Sequence, residues 1–374
     1  MTSTLAHQPI HTIEPGTTIP RNETLTIRDR LVVFFGTLTL QPGARLVFEN
    51  CVLDTTQLDV ESIALDMFSA KLELSHCQFI KIPKNPDPFQ KTTSSIRTNG
   101  LCRVEAHHCV FHQTWNFATS HTNKSTRCAF YQCQIQEGYD TFVGDCRITF
   151  DHCQIENHRN AFVAFAVELN MSHCQLIYHG SLLEGTAISL SYSNFGIADL
   201  SHCEFVNLRA IEGYAGRATH CTFTDLGYVK CDRTGTENNH SQTLPSEFVS
   251  CQFIFTRHIS KFTPWLRYPS LVRECTFSNQ IDSELIKVRF GLIQANVEYY
   301  DSHIENCQFK GLDTQASYVI LPSAFYKSQH GVATVVGCQF ENVTSEHGQH
   351  IQTHTNSNDP VHYAKDVHVI QVSP

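Results

Sequence analysis

One short phrase recurs along the chain and limits what it can fold into. A small polar residue or His precedes Cys, then a polar residue, then Phe, Ile or Leu. It reads Ser75-His76-Cys77-Gln78-Phe79 and returns as Asp151-His152-Cys153-Gln154-Ile155, Ser172-His173-Cys174-Gln175-Leu176 and Ser201-His202-Cys203-Glu204-Phe205. The cysteines in this phase are Cys51, Cys77, Cys109, Cys133, Cys153, Cys174, Cys203, Cys221, Cys251, Cys275, Cys307 and Cys338, at steps of 18 to 32 residues. Self-similarity at that period means stacked structural repeats.

Apolar and polar residues alternate before each cysteine, as at Leu72/Leu74, Val104/Ala106, Ile148/Phe150 and Leu169/Met171, which is the strand period. After the cysteine, the next residue but one is again apolar. Each repeat therefore reads as strand, sharp bend, strand and return segment, with no helical pattern long enough for a helical repeat. The expectation is an all-β fold: one right-handed parallel β-helix of about a dozen coils with an inward Cys ladder. Stacked inward residues lie about 4.8 Å apart in such a coil.

Residues 1–22 read as an N-terminal lead-in, 23–345 as the parallel β-helix and 346–374 as a C-terminal tail and cap. Four segments break the rhythm: Lys81 to Gly100, Cys231 to Glu247, Thr263 to Ser270 and Leu321 to Gly331. Insertions on one edge of a solenoid commonly carry the binding surface.

The residue before the cysteine is His76, His108, His152, His173, His202 or His220, with Asn50 and Asn306 in two other coils. Asn and His tolerate left-handed backbone, so this column reads as a ladder of bends. A straight column of histidines offers two donors per ion rather than a tetrahedron, so no metal and no cofactor is expected. The column after the cysteine (Gln78, Gln134, Gln154, Gln175, Gln252, Gln308, Gln339) reads as a solvated outward row.

The formal net charge of −9 argues against a nucleic-acid partner, and no apolar run approaches a membrane span. The first sixteen residues carry no secretory pattern, and the sixteen cysteines recur at inward positions rather than in a disulfide pattern. They read as buried thiols of a reducing, cytoplasmic compartment.

Counting along the return strands from the cysteine phase gives columns of residues taken as outward. One holds Asp140, Asn160, Ser181, Ala210, Tyr228 and His258; the one before it holds Arg159, Arg209 and Arg257; the one two later holds Phe162, Leu183, Glu212, Lys230 and Ser260. Carboxylates and guanidinium groups on one β-face suit a charged sugar. The candidate ligand-binding residues are Arg159, His179, Arg209, Glu212, Lys230 and His258, with Trp265 and Tyr268 from an insertion.

The repeat pattern over nearly the whole chain resembles the pectate-lyase-like superfamily of right-handed parallel β-helices. That superfamily holds polysaccharide lyases, hydrolases and esterases, phage tailspikes and non-catalytic members. A local likeness to pectin methylesterases covers Arg127 to Cys153, through Asp140-Thr-Phe-Val-Gly144 and Phe150-Asp-His-Cys153. It implies Asp140 as a catalytic, nucleophilic carboxylate. The Gln-Asp-Thr-Leu and Leu-Gly-Arg-Pro-Trp segments of those esterases do not occur here.

The leading expectation is a non-catalytic recognition or scaffold protein whose partner is a carbohydrate, a protein or a second copy of the chain. The alternatives are a carbohydrate-active esterase or lyase, and a component of a phage or secretion machine.

Overall fold

The structure is a computed structural model. It describes residues 8–58, 63–80, 96–112, 117–119, 126–139, 141–144, 146–180, 186–190, 196–213, 215–231, 246–257, 266–267, 269–280, 286–288, 292–296, 301–314, 319–323, 333–345, 351, 367–369 and 372–373. The chain divides into unit 1 (Met1–Gly180 with Glu184–Asn194) and unit 2 (Ser181–Leu183 with Phe195–Pro374). The fold is all-β. Each unit is a run of right-handed parallel β-helix, wound in the hand that parallel crossovers take.

Each coil lays one strand on each of three parallel sheets. In unit 1 the first sheet stacks Thr24–Arg28, Arg45–Glu49, Lys71–Ser75, Arg103–His107, Arg127–Tyr131, Arg147–Asp151 and Glu168–Ser172. Their register is straight: Leu72 faces Leu46 and Val104, and Phe130 faces Ala106 and Phe150. The inward members are buried and the outward ones polar, as period-two alternation demands. Parallel pairing reaches back to Ile10–Ile13, which pairs with Leu31–Phe34, so coiling begins within the segment read as a lead-in. At the other end of unit 2, Val367–Val369 pairs with Ala333–Val335 and Val372–Ser373 with Cys338–Gln339.

The bend ladder is where the phrase put it. His76, His108, His152, His173, His202 and His220 all have φ between 52° and 54°, and Asn50, Gln132, Ser250, Glu274 and Asn306 take the same conformation. The bend amide still joins the ladder: His76 N donates to His107 O, and His152 N to Ser172 O, both at 2.9 Å. Tucked under each bend, the cysteine packs as a small hydrophobe with a weak donor. Cys77 Sγ lies 3.3 Å from Ser75 O and 3.4 Å from Phe48 O one coil earlier; Cys251 Sγ repeats this with Val249 O and Ala218 O. A larger apolar residue would crowd those carbonyls, and Ala would leave them without the S–H contact. All sixteen cysteines are buried thiols. Burial raises the Cys102 and Cys128 thiols above their ordinary value.

The second strand supplies a column of stacked rings. In unit 2, Phe205, Phe223, Phe253, Phe277, Phe309 and Phe340 follow one another at centroid separations of 4.6 to 5.0 Å. Outside, the first sheet of unit 1 carries ion pairs along its outer face: Arg45 with Glu73 at 2.7 Å, Lys71 with Glu73 at 2.5 Å and Arg147 with Glu168 at 3.5 Å. Such exposed pairs contribute little each.

A second bend falls four residues after the ladder cysteine, at the end of the second strand or within it. It has positive φ at Glu137 and Asn157 in unit 1, and at Asn207, Asp225, Gly311 and Asn342 in unit 2. This bend sets which return-strand residues face out, and therefore where a site can lie.

Candidate functional site

In unit 2 the third sheet stacks Ala210–Glu212, Val229–Lys230, Leu266–Arg267, Ile293–Asn296 and Ile320–Ser323. Ile211, Val229, Leu266, Ile293 and Ile320 point into the core. The neighbouring row reads Glu212, Lys230, Arg267, Gln294 in successive paired positions. One carboxylate, two cations and an amide thus follow at the strand spacing, about 4.8 Å apart. Tyr228 lies two residues before Lys230, and its hydroxyl donates to Glu212 Oε1 in the preceding coil.

The backbone beneath this row is held tightly. Gly227 N donates to Leu208 O at 2.8 Å, and a Cβ on Gly227 would fall 2.0 Å from Arg209 O. Only glycine lets the two return segments approach that closely. The second bend is braced by side chains. Asp225 accepts from Thr256 N at 2.8 Å and Thr256 Oγ1 at 2.5 Å and pairs with Arg257 Nε at 3.5 Å, while Arg257 also donates to Asn207 Oδ1. Asn207 and Asp225 are each 7% exposed, so Arg257 is committed to holding the bend.

Unit 1 holds a different polar centre. His158 is 1% exposed. Its Nε2 lies 3.3 Å from Ile135 O, and its Nδ1 lies 2.7 Å from Thr141 Oγ1. The carbonyl can only accept, so Nε2 carries the proton and Nδ1 accepts from the hydroxyl. Burial pushes its pKa down from 6.5 to about 4. Gly138 faces His158 across the sheet, and a Cβ there would fall 2.6 Å from both Nδ1 and Thr141 Oγ1. One coil group earlier, Arg97 makes a two-pronged contact to Asp66, with Nε 2.9 Å from Oδ1, and Asn99 Nδ2 lies 3.4 Å from the same oxygen.

Of the residues expected from the sequence, Glu212 and Lys230 are brought together as neighbours, and Arg209 precedes them on the same return segment. His179 is exposed in unit 1, its N–H donating to Asn157 Oδ1 at 3.2 Å. Arg159 pairs with Tyr139 in backbone register; its side chain lies outside the described residues. Asp140, His258, Trp265 and Tyr268 also lie outside them, as do most of the four insertions. One counted position needs correcting: Phe162, counted as outward, is 0% exposed and packs against Phe142 and Phe150, because the register shifts between Ala161 and Val163. Ala210, in the other outward column, is covered at 1% exposure, while Tyr228 at the equivalent place one coil later is half-buried. Tyr228 as the partner of Glu212, and the buried His158, did not emerge as site residues from the sequence. The signal for His158 was the small residue, Gly138, at the equivalent place one coil earlier.

This architecture defines a parallel β-helix protein. No family model matches the chain, and no curated protein matches it in sequence. Among solved structures, the A-module of mannuronan C-5 epimerase AlgE4 from Azotobacter vinelandii is similar at 9% identity, over 96% of this chain and 91% of that one, with a TM-score of 0.33. The catalytic domain of a GH87 α-1,3-glucanase in complex with nigerose is similar at 10% identity, over 97% of this chain and 62% of that one, with a TM-score of 0.31.

Proposed function

We propose that this chain is a carbohydrate-binding β-helix protein, whose ligand lies along the third sheet of unit 2 across Glu212, Lys230 and Arg267. The observation that carries this reading is the row itself: charged and amide side chains in consecutive coils, with Tyr228 held against Glu212. A rigid strand face repeats its groups at a fixed spacing, as a glycan chain repeats its hydroxyls and carboxylates. Lys230 and Arg267 suit the acidic groups, the guanidinium by its planar fork. Arg209 borders the row, and His179 is exposed in unit 1. The thiol ladder supports a reducing, cytoplasmic setting. Affinity electrophoresis in gels containing an acidic or a neutral polysaccharide tests the proposal. Retardation by the acidic polymer is expected, reduced in Lys230→Met and Arg267→Gln. Migration unaffected by every polymer would refute it.

A second reading, a carbohydrate-active enzyme, is favoured by one contact. The Tyr228 hydroxyl on the Glu212 carboxylate, with Lys230 in the adjacent position, is a proton-transfer couple beside a cation. On this reading Tyr228 or Glu212 moves a proton at a bound sugar while Lys230 steadies the negative charge. New unsaturated or reducing ends from a uronan or glucan, lost in Tyr228→Phe, would establish it. For an esterase the test is Asp140→Asn with methanol release as the readout.

A further inference from the structure

The geometry points to a divalent transition-metal site of the Zn²⁺ class at the first bend of unit 1, built from Asp151, His152 and His173. It does not rest on the carbohydrate reading. The strand Arg147–Asp151 ends beside the bend, so Asp151 is followed directly by His152. One coil later Glu168–Ser172 pairs with it, Ser172 opposite Asp151, and His173 takes the next bend. The two imidazoles stack with centroids 4.6 Å apart and planes 12° from parallel. Both Nδ1 atoms face the same carboxylate oxygen: Asp151 Oδ1 lies 3.0 Å from Nδ1 of His152 and 3.9 Å from Nδ1 of His173. One ligand atom from each residue falls within 4.8 Å of the others.

A tetrahedral Zn²⁺ with ligand bonds near 2.0–2.1 Å separates its ligand atoms by about 3.3 Å. Closing the cluster onto an ion therefore takes movements of about 1–1.5 Å and a turn of the two rings out of their stack, since each nitrogen lone pair lies in its ring plane. The side chains are 54% (His152), 51% (His173) and 35% (Asp151) exposed, so they can rotate that far without disturbing the core. Both bends are fixed by their backbone, which limits the entropy cost of assembling the ligands. Ser172 Oγ donates to Asp151 Oδ1 at 2.5 Å and orients the carboxylate from outside the ligand set. Each ring would coordinate through Nδ1 with its proton on Nε2, giving two nitrogens and one carboxylate oxygen for the ion and an open position for water. Two imidazoles with a carboxylate suit Zn²⁺, Cu²⁺ or Ni²⁺ rather than Mg²⁺ or Ca²⁺.

The chain carries its own control. His76 and His108 stack in the same way at 4.8 Å, but the residues before them are Ser75 and His107. In unit 2, His202 and His220 stack at 4.9 Å behind Ser201 and Thr219. Among the described residues the carboxylate joins a histidine pair only at Asp151. The column of histidines is thus a ladder of bends in which one pair, given an acid, gains a third ligand.

The test is isothermal titration with Zn²⁺ on the full chain stripped with chelator and desalted, together with Cu²⁺ electron paramagnetic resonance. His173→Asn places at the bend the residue that Asn50 and Asn306 already occupy with positive φ, and Asp151→Ser copies Ser75 and Ser172, so both keep the fold. One Zn²⁺ per chain is expected, weakened about tenfold or more by either substitution and unchanged in His76→Asn. The Cu²⁺ spectrum should show two coordinating nitrogens in the parent and one in His173→Asn. Absence of Zn²⁺ binding, equal binding by parent, Asp151→Ser and His173→Asn, or equal weakening in His76→Asn would overturn the site. If a substitution unfolds the chain, the parent spectrum decides alone: two imidazole nitrogens uphold the assignment, and any other count refutes it.

Discussion

Buried His158 makes a quantitative prediction about stability and pH. Its folded pKa is about 4 against an ordinary 6.5, because burial penalises the imidazolium by more than the bond from Nε2–H to Ile135 O favours it. The folded state therefore binds fewer protons than the unfolded chain between these values. Stability from this group is complete above pH 6.5, is lost as pH falls through that value, and stops falling near pH 4. The full loss is about 3 kcal/mol, from a shift of roughly 2.5 units at 1.36 kcal/mol each. Between pH 7.5 and 5.5 the same linkage gives a loss of about 1.3 kcal/mol. His158→Gln retains a donor for Ile135 O and an acceptor for Thr141 Oγ1 while removing the titration. Repeat arrays can unfold in parts, so the assay is amide-exchange protection in Gln154–Ala166, read at both pH values alongside urea unfolding. The parent should lose about 1.3 kcal/mol more than His158→Gln over that interval. An equal slope in the two proteins, or a His158 ring titrating near 6.5 in the folded state, would refute the reasoning.

Three further outcomes are expected. Phe277→Leu removes two stacked neighbours, Phe253 at 4.6 Å and Phe309 at 4.9 Å, and should cost about 1–3 kcal/mol; Phe205→Leu, which removes the Phe223 stack at 5.0 Å, should cost about half of that by urea unfolding. Maleimide labelling read by mass spectrometry should modify few thiols in native protein and all sixteen after denaturation; rapid native labelling of most of them would contradict their burial. Gly138→Ala should displace the His158 ring and destabilise unit 1 by about 1–3 kcal/mol, whereas unchanged thermal unfolding would show that the ring moves aside freely.

The coil was legible in the sequence because each turn solves the same physical problem. A bend of positive φ needs a tolerant residue, and the space beneath its carbonyls needs a small apolar one. Hence His or Asn precedes Cys again and again, and the pattern announces itself. The second bend solves a looser problem with Glu137, Asn157, Asn207, Asp225, Gly311 or Asn342, so no single residue type marks it. Its consequences were correspondingly hidden. Parity counted from the cysteine does not survive an irregular return strand, which is why Phe162 was counted as outward although it packs against Phe142 and Phe150. The pairing of Glu212 with Lys230 could still be read, since both were counted the same number of residues beyond that bend, and equal errors cancel between coils.

The metal cluster shows the same limit from the other side. A column of like residues allows two donors, and that count is correct for His76 with His108. The third donor at His152 and His173 comes from a different column, at the strand position that elsewhere in unit 1 holds Ser75, His107, Tyr131 or Ser172, or, before Asn50 rather than a histidine, Glu49. Repetition averages away such a residue when the sequence is read for its period. In a solenoid the period therefore specifies the scaffold, and chemistry is sought where one coil departs from it: Asp151 beside two stacked histidines, Gly138 opposite His158, and Tyr228 reaching back to Glu212.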